Sequence, residues 1–149
     1  MSSCFLDYPS NEEWSECERW FEQQNESYTG LGSYLVSEQA CALIGEVQVA
    51  FCAGAWLAVL VLTIAVVEAQ LREIEFPDFR GNTKQLLTNA GVNKELQKLR
   101  ERRNSIIHLD AMRPAITVEQ QWSDRTQLES EARNAIRLMF ETFYMSPGT

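Results

Sequence analysis

Residues 49–67 read VAFCAGAWLAVLVLTIAVV and carry no charged side chain. A run of this length and apolarity forms either one helix that spans a membrane or two helices that are buried in a protein core. Gly54 predicts a break near the beginning of the run, because glycine destabilises a helix interior. The flanking charges Glu46, Glu68 and Arg72 give no positive bias to one side. Burial in a core is therefore favoured, with a small membrane protein anchored by residues 49–67 as the alternative.

The composition of the whole chain favours helices. Of its 149 residues 45% are hydrophobic, which is enough apolar material for one sizeable core. Glycine and proline number only 7 and 4, and no series of short alternating segments indicates a sandwich or a barrel. The sequence therefore predicts an all-helical protein.

Apolar residues recur at helical spacing in several segments of the chain. Ser10 followed by Glu13 resembles a capping box at the start of the first segment, and Gly91 predicts the end of another segment in the C-cap manner. The predicted helices cover residues 11–24, 37–50, 55–76, 83–90, 93–110 and 124–145.

A linker predicted at Gly30 and Gly32 divides the chain into two parts. Residues 1–33 form an acidic N-terminal extension with one short amphipathic helix, and residues 34–149 form the helical domain. Because the extension carries a small apolar face of its own, we expect the domain to fold without it.

The net charge of −8 is concentrated near the N-terminus. Residues 1–48 contain nine acidic residues and one arginine, whereas residues 49–149 contain twelve acidic and twelve basic residues. An acidic protein repels RNA and DNA at long range, so a contact with nucleic acid would need a local basic patch.

Four cysteines and one histidine supply few metal ligands. Cys4, Cys17, Cys41 and Cys52 form no C-x-x-C pair, so neither a metal site nor a cofactor is predicted. Cysteines in this pattern are typical of a reduced compartment, and the N-terminus lacks the basic and apolar regions of a secretory signal. We therefore expect a cytoplasmic protein.

Arg103 lies near the centre of an apolar stripe on the helix predicted over residues 93–110. An arginine there either extends its charge to solvent or pairs with a carboxylate, for which Asp110 and Glu68 are candidates. His108 is the only histidine, and a lone histidine is more often structural than catalytic. An imidazole is nevertheless the side chain best suited to proton transfer at neutral pH, and a nearby arginine can hold a phosphate beside it.

The spacing of these residues raises a geometric difficulty. Residues five apart on an ideal helix point about 140° away from each other, so Arg103 must reach around or the helix must deform for the two side chains to meet. Asn104 and His108 are four apart and can share one helix face.

The residues before His108 form the strongest basic cluster of the chain. Its basic members are Lys94, Lys98, Arg100, Arg102 and Arg103, against the acidic Glu95 and Glu101. The cluster is either a solvated helix face or a phosphate-binding groove, in which Lys98, Arg100 and Arg102 would contact RNA.

The string LRERRNSIIH, residues 99–108, resembles the R-x4-6-H motif of HEPN domains in the form where a polar residue follows the arginine. The similarity extends over about residues 35–145, because VVEAQLRE at 66–73 and ESEARNAIRLMF at 129–140 resemble the helices that flank this motif. The three parts occur in the expected order.

The resemblance implies a bundle of four to five helices that forms a two-fold homodimer with both motifs facing the interface. Many HEPN proteins are metal-independent endoribonucleases of toxin-antitoxin or defence systems. Arg103 would then stabilise the charged phosphate and His108 would transfer protons, with Asn104 and Glu68 as supporting residues. One histidine per chain can serve as both base and acid only when two chains meet.

The sequence departs from one branch of the family at Asp110. In HEPN toxins that are paired with a minimal nucleotidyltransferase antitoxin, a tyrosine at this place is the residue that the antitoxin modifies. A protein antitoxin or a larger complex is expected as a partner, and Asp110 argues against that route of neutralisation. A non-catalytic HEPN module for association or nucleotide binding is the alternative function, and the acidity of the chain favours it.

Overall fold

Seven α-helices form the regular structure of residues 4–148, the part of the chain that the computed structural model describes. They are α1 (Asn11–Thr29), α2 (Glu38–Cys52), α3 (Trp56–Gln70), α4 (Thr83–Ala90), α5 (Glu95–Ile107), α6 (Val118–Ser123) and α7 (Arg125–Phe143). A π-helical segment, Leu71–Glu75, continues α3. Because these residues contain no strand, the predicted all-helical class is confirmed.

The apolar run is divided where Gly54 predicted. Helix α2 ends at Cys52, and Gly54 has a φ of 79°, a left-handed conformation that favours glycine. The amide of Ala55 donates to the carbonyl of Ala50 across this turn (2.9 Å), and α3 begins one residue later. Within residues 4–148 no helix combines the length and the apolarity needed to cross a membrane.

Helix α3 lies at the centre of the core and packs on α2, α7 and α5. Helix α7 buries the apolar face that the sequence predicted. Its buried members include Leu128, Ala132, Ala135, Ile136, Met139, Phe140 and Phe143. The core is therefore built around a helix that carries no charge before Glu68.

Helix α1 joins the same core. The predicted capping box is present, since the Ser10 hydroxyl accepts from the Glu13 amide (3.0 Å) and the Glu13 carboxylate accepts from the Ser10 amide (3.0 Å). Phe21 is only 5% exposed and lies 5.2 Å from the ring of Phe140 and 6.5 Å from that of Phe51. Although residues 1–33 were predicted to be a separate extension, α1 thus contributes to the packing of the helical domain.

The helices differ most from the predicted ones in three places. Helix α1 continues to Thr29 rather than to residue 24, because its apolar side keeps packing on α2 and α7. Helix α6 was not predicted, although Thr117 and Gln120 form a capping box at its start. Helix α5 ends at Ile107 instead of residue 110, and Leu109 and Met112, which follow it, are exposed rather than packed on the core.

A buried amide joins the two ends of the α2–α3 hairpin. The side chain of Gln70 accepts from the amide of Ser37 (2.8 Å) and donates to the carbonyl of Leu35 (3.1 Å). Immediately after Gln70 the helix widens into the π-helical segment, in which the Phe76 amide donates to the Leu71 carbonyl five residues earlier (2.8 Å). A π-helical turn inside a helix often occurs at a functional site.

The burial of Phe21 generates a prediction for α1. We expect Phe21→Ala to lower the free energy of unfolding by about 3 kcal/mol, because it leaves a cavity between aromatic rings of the core. The matched control is Tyr8→Ala, which removes an aromatic ring that is 98% exposed and should change stability little. Urea denaturation of both variants measures the difference. Equal midpoints would indicate that α1 is detachable, as the sequence predicted.

Candidate functional site

Arg103 lines a surface depression of about 420 Å³ between α2, α3 and α5. The floor is formed by the polar end of α3 and the π-helical segment that follows it. The other lining residues are Gln39, Ala65, Glu68, Ala69, Arg72 and Glu73. The structure therefore brings Arg103 and Glu68, two of the predicted site residues, to one place.

The guanidinium of Arg103 is held by its neighbour in the chain. Its Nε donates to Oδ1 of Asn104 (2.9 Å). Among residues 4–148 no ion pair joins Arg103 to a carboxylate, and neither Asp110 nor Glu68 is the partner that the sequence left open. A half-buried guanidinium without a carboxylate partner is suited to binding an anion.

Glu68 fixes one wall of the depression. Its carboxylate accepts hydrogen bonds from the Thr83 hydroxyl and from Nε of Arg72 (3.4 Å). Arg72 in turn donates to the carbonyl of Gly81 (2.9 Å). Sequence reasoning missed Arg72 as a site residue, although its position four residues after Glu68 was a visible signal for this ion pair.

His108 is the first residue beyond α5. Its amide still donates to the carbonyl of Asn104 (2.9 Å), but its φ of −118° and ψ of 107° are extended. The imidazole is exposed and does not line the depression that contains Arg103. The angle of about 140° between residues five apart on an ideal helix does not apply to Arg103 and His108, because α5 ends before His108. A single chain nevertheless leaves the two side chains in different surroundings.

The basic cluster on α5 is largely paired with acidic or polar side chains. Lys98 contacts Glu95 (3.0 Å), and Arg100 contacts Glu101 (3.7 Å).

Arg102 is bound on two sides. It pairs with Glu131 of α7 (3.1 Å) and donates to the carbonyl of Ala115 (3.0 Å), which ties the loop after α5 to the rest of the fold. Of the three arginines on α5, Arg103 is the one for which residues 4–148 supply no carboxylate partner.

Apolar side chains surround His108 along the chain. Ile107 is 48% exposed, Leu109 86% and Met112 89%. An exposed apolar segment next to a candidate catalytic residue is typical of a surface that another molecule covers.

The cysteines give no sign of a second reactive centre. Cys17 and Cys52 line one cavity between α1 and the α2–α3 turn, and burial raises the pKa of the Cys52 thiol to about 11. A thiol with a raised pKa is a poor nucleophile at neutral pH. In the described part of the chain, no three side chains of histidine, cysteine, aspartate or glutamate are grouped to hold a metal ion.

Comparison with protein-family models, with curated proteins and with solved structures found no match to this chain.

Because Arg102 is paired and Lys98 is exposed, we expect the two residues to contribute differently to stability. We expect Arg102→Met to lower the free energy of unfolding by about 1–2 kcal/mol, because it removes a charge-assisted bond to Glu131 and a bond to a backbone carbonyl. Lys98→Met, at an exposed position, should leave stability within about 0.5 kcal/mol. Thermal unfolding followed by circular dichroism measures both. Identical unfolding of the two variants would mean that Arg102 is not needed by the fold and is available for RNA.

Proposed function

We propose that this chain is a metal-independent endoribonuclease of the HEPN kind that belongs to a toxin-antitoxin or defence system and works as a homodimer. The observation that carries the proposal is the surroundings of Arg103 and His108 at the C-terminal end of α5. Arg103 has no carboxylate partner among residues 4–148 and faces a depression, and His108 is exposed just beyond the last helical residue. An arginine that is free to bind a phosphate and an imidazole that is accessible to solvent support the proposal.

The chemistry follows from these two groups. RNA cleavage by its own 2′-hydroxyl requires a base to remove the hydroxyl proton, an acid to protonate the leaving 5′-oxygen and a cation near the phosphorane. Arg103 would supply the cation. His108 would act as the base in one chain and as the acid in the other, because each chain has a single histidine.

Two features support the participation of a second chain. His108 lies outside the depression that contains Arg103 of the same chain, so a composite site would place the histidine of one copy beside the arginine of the other. The apolar side chains of Ile107, Leu109 and Met112 flank His108 and are exposed. Their burial against a partner would stabilise such an arrangement.

A non-catalytic HEPN module for association or nucleotide binding is the second candidate. The net charge of −8 and the pairing of Arg100 and Arg102 with carboxylates favour it, since both weaken attraction for an RNA backbone.

A protein antitoxin of the proposed ribonuclease would have to act without a tyrosine two residues after the histidine, because that residue is Asp110.

The proposal predicts how single substitutions affect RNA cleavage. Arg103→Ala and His108→Ala should each abolish cleavage, because the first removes charge stabilisation and the second removes proton transfer. Cleavage by the wild type should persist in chelator and should leave a 2′,3′-cyclic phosphate. DNA should stay uncut, because it lacks the attacking hydroxyl. Gel analysis of end-labelled RNA and DNA oligonucleotides measures these outcomes.

Lys98→Ala is the matched control, because Lys98 lies on the same helix, is exposed and takes no part in the proposed chemistry. It should retain cleavage with a small loss of RNA affinity. Cleavage at the wild-type rate by His108→Ala would refute the mechanism. Wild-type protein that cuts no RNA would favour the non-catalytic module.

A further inference from the structure

A surface groove of about 740 Å³ lies on α4 and on the loop that precedes it. We name it the α4 groove. It is lined by the half-buried ring of Phe79, by the exposed cations Arg80 and Lys84, and by four uncharged polar side chains of residues 82–89. Among the described residues no carboxylate lines it. In a chain with a net charge of −8, the α4 groove is therefore a local basic surface.

The cations of the α4 groove are not neutralised by the fold. Neither Arg80 nor Lys84 forms an ion pair with any residue that the structure describes. Residues 79–94 contain a third cation, Lys94, and no aspartate or glutamate, and Asp78, which precedes them, does not line the groove. The three cations of α5 that the sequence assigned to RNA are each paired with a carboxylate instead. The local basic patch that a contact with RNA requires therefore lies on α4 rather than on α5.

Hydrogen bonds within the chain orient two amide groups of the α4 groove. Asn82 and Gln85 form the capping box of α4, in which Oδ1 of Asn82 accepts from the backbone amide of Gln85 and Oε1 of Gln85 accepts from that of Asn82 (both 2.9 Å). Because these oxygens are occupied, the two side chains offer their NH₂ groups to a ligand. Amide and cationic donors together match the oxygens of phosphates.

Phe79 adds an aromatic ring to these donors. The ring packs against Gly81, where a Cβ would lie only 2.9 Å from a ring carbon, so the absence of a side chain at that residue fixes the position of the ring. An aromatic ring beside cations is the arrangement on which the bases of single-stranded nucleic acids stack. The large apolar residues of α4, Leu86 and Leu87, are buried, so this helix has no apolar face to insert into a membrane. The α4 groove therefore fits a single strand of RNA better than an anionic bilayer or an acidic polypeptide.

Two contacts connect the α4 groove with the depression that contains Arg103. Arg72, which lines that depression, donates to the carbonyl of Gly81 (2.9 Å). Glu68, which also lines it, accepts from the hydroxyl of Thr83 at the start of α4. The segment that forms the α4 groove is thus held directly against the wall of the candidate site.

We propose that the α4 groove binds the part of a single-stranded RNA that flanks the phosphate at Arg103. This inference rests on the proposed function in taking RNA as the ligand, and it adds the surface along which the strand lies. Arg80 and Lys84 contact two phosphates of the strand, and Phe79 stacks on one of its bases. Sequence reasoning identified none of these three residues as part of the site.

Binding of an RNA that cannot be cut tests the two cations. A 2′-O-methyl oligoribonucleotide lacks the attacking hydroxyl, so its affinity is measured independently of cleavage. Arg80→Ala/Lys84→Ala should lower this affinity by about tenfold or more at low salt. The slope of log affinity against log salt should become shallower by about 1.4, because each phosphate contact of a single strand contributes about 0.7.

The matched control is Arg19→Ala/Lys98→Ala. It removes the same two charges from exposed positions outside the α4 groove, so it should leave the salt slope unchanged. Fluorescence anisotropy over a salt series, with circular dichroism as the folding check, measures all of these proteins.

Phe79→Leu tests the stacking contact. The variant keeps an apolar side chain against the core but removes the aromatic ring. Affinity for the oligonucleotide should fall by about fivefold or more with an unchanged salt slope, because stacking releases no counterions. An oligoglutamate peptide and vesicles that contain phosphatidylserine serve as probes with charges but no bases.

Wild-type affinity and salt slope in the Arg80→Ala/Lys84→Ala variant would overturn this inference. Tighter binding of oligoglutamate or of the vesicles than of RNA by the wild type would overturn it as well. Loss of oligonucleotide binding in that variant, together with a wild type that cuts no unmodified RNA, would support the α4 groove and count against the proposed function. Cleavage that needs His108 but is unchanged by Arg80→Ala/Lys84→Ala would support the proposed function and refute the α4 groove.

Discussion

Burial of α3 is the constraint on which the rest of this structure depends. The helix exposes no charge before Glu68, and each large aliphatic side chain that it buries stabilises the fold by roughly 1.5–3 kcal/mol. Helices α2, α5 and α7 are positioned by the need to cover it. The position of the candidate site follows from this arrangement, because the depression forms where the apolar part of α3 ends and α5 crosses beside it.

At its C-terminal end α3 changes from a buried apolar helix to one that carries polar side chains. Gln70 satisfies two backbone groups of the segment before α2, while Glu68 and Arg72 bind the segment before α4. The π-helical segment Leu71–Glu75, which follows Gln70 and contains Arg72, widens the backbone at this point. Buried apolar contacts thus determine where the depression lies, and hydrogen bonds on the last turns determine which polar groups face it.

Features that depend on local chemistry could be predicted from the sequence. Gly54 ended α2, Ser10 capped α1 and the apolar spacing of α7 identified its buried side, because each depends on residues within a few positions. Features that depend on distant contacts could not. The pairing of Arg102 with Glu131 joins residues 29 apart in sequence, and α1 is extended by packing on helices that follow much later in the chain.

The same distinction applies to the candidate site. The sequence identified Arg103, Asn104 and His108 as a group, and it placed Glu68 on the preceding long helix. It assumed a helix to about residue 110, however, because the stop signal that the sequence offers after Ile107 is Pro114. Whether apolar residues at a helix end are buried depends on the surrounding elements, and here Ile107 is 48% exposed.

The distribution of charge explains why the proposed chemistry would need two chains. Carboxylates neutralise Arg100 and Arg102, so each copy offers an incoming phosphate a single arginine without a carboxylate partner in the described part of α5. A binding site that neutralises one or two phosphates gains little from counterion release, and the net negative charge of the chain opposes even that gain. At the candidate site affinity and catalysis would then both depend on bringing two copies of Arg103 and His108 together.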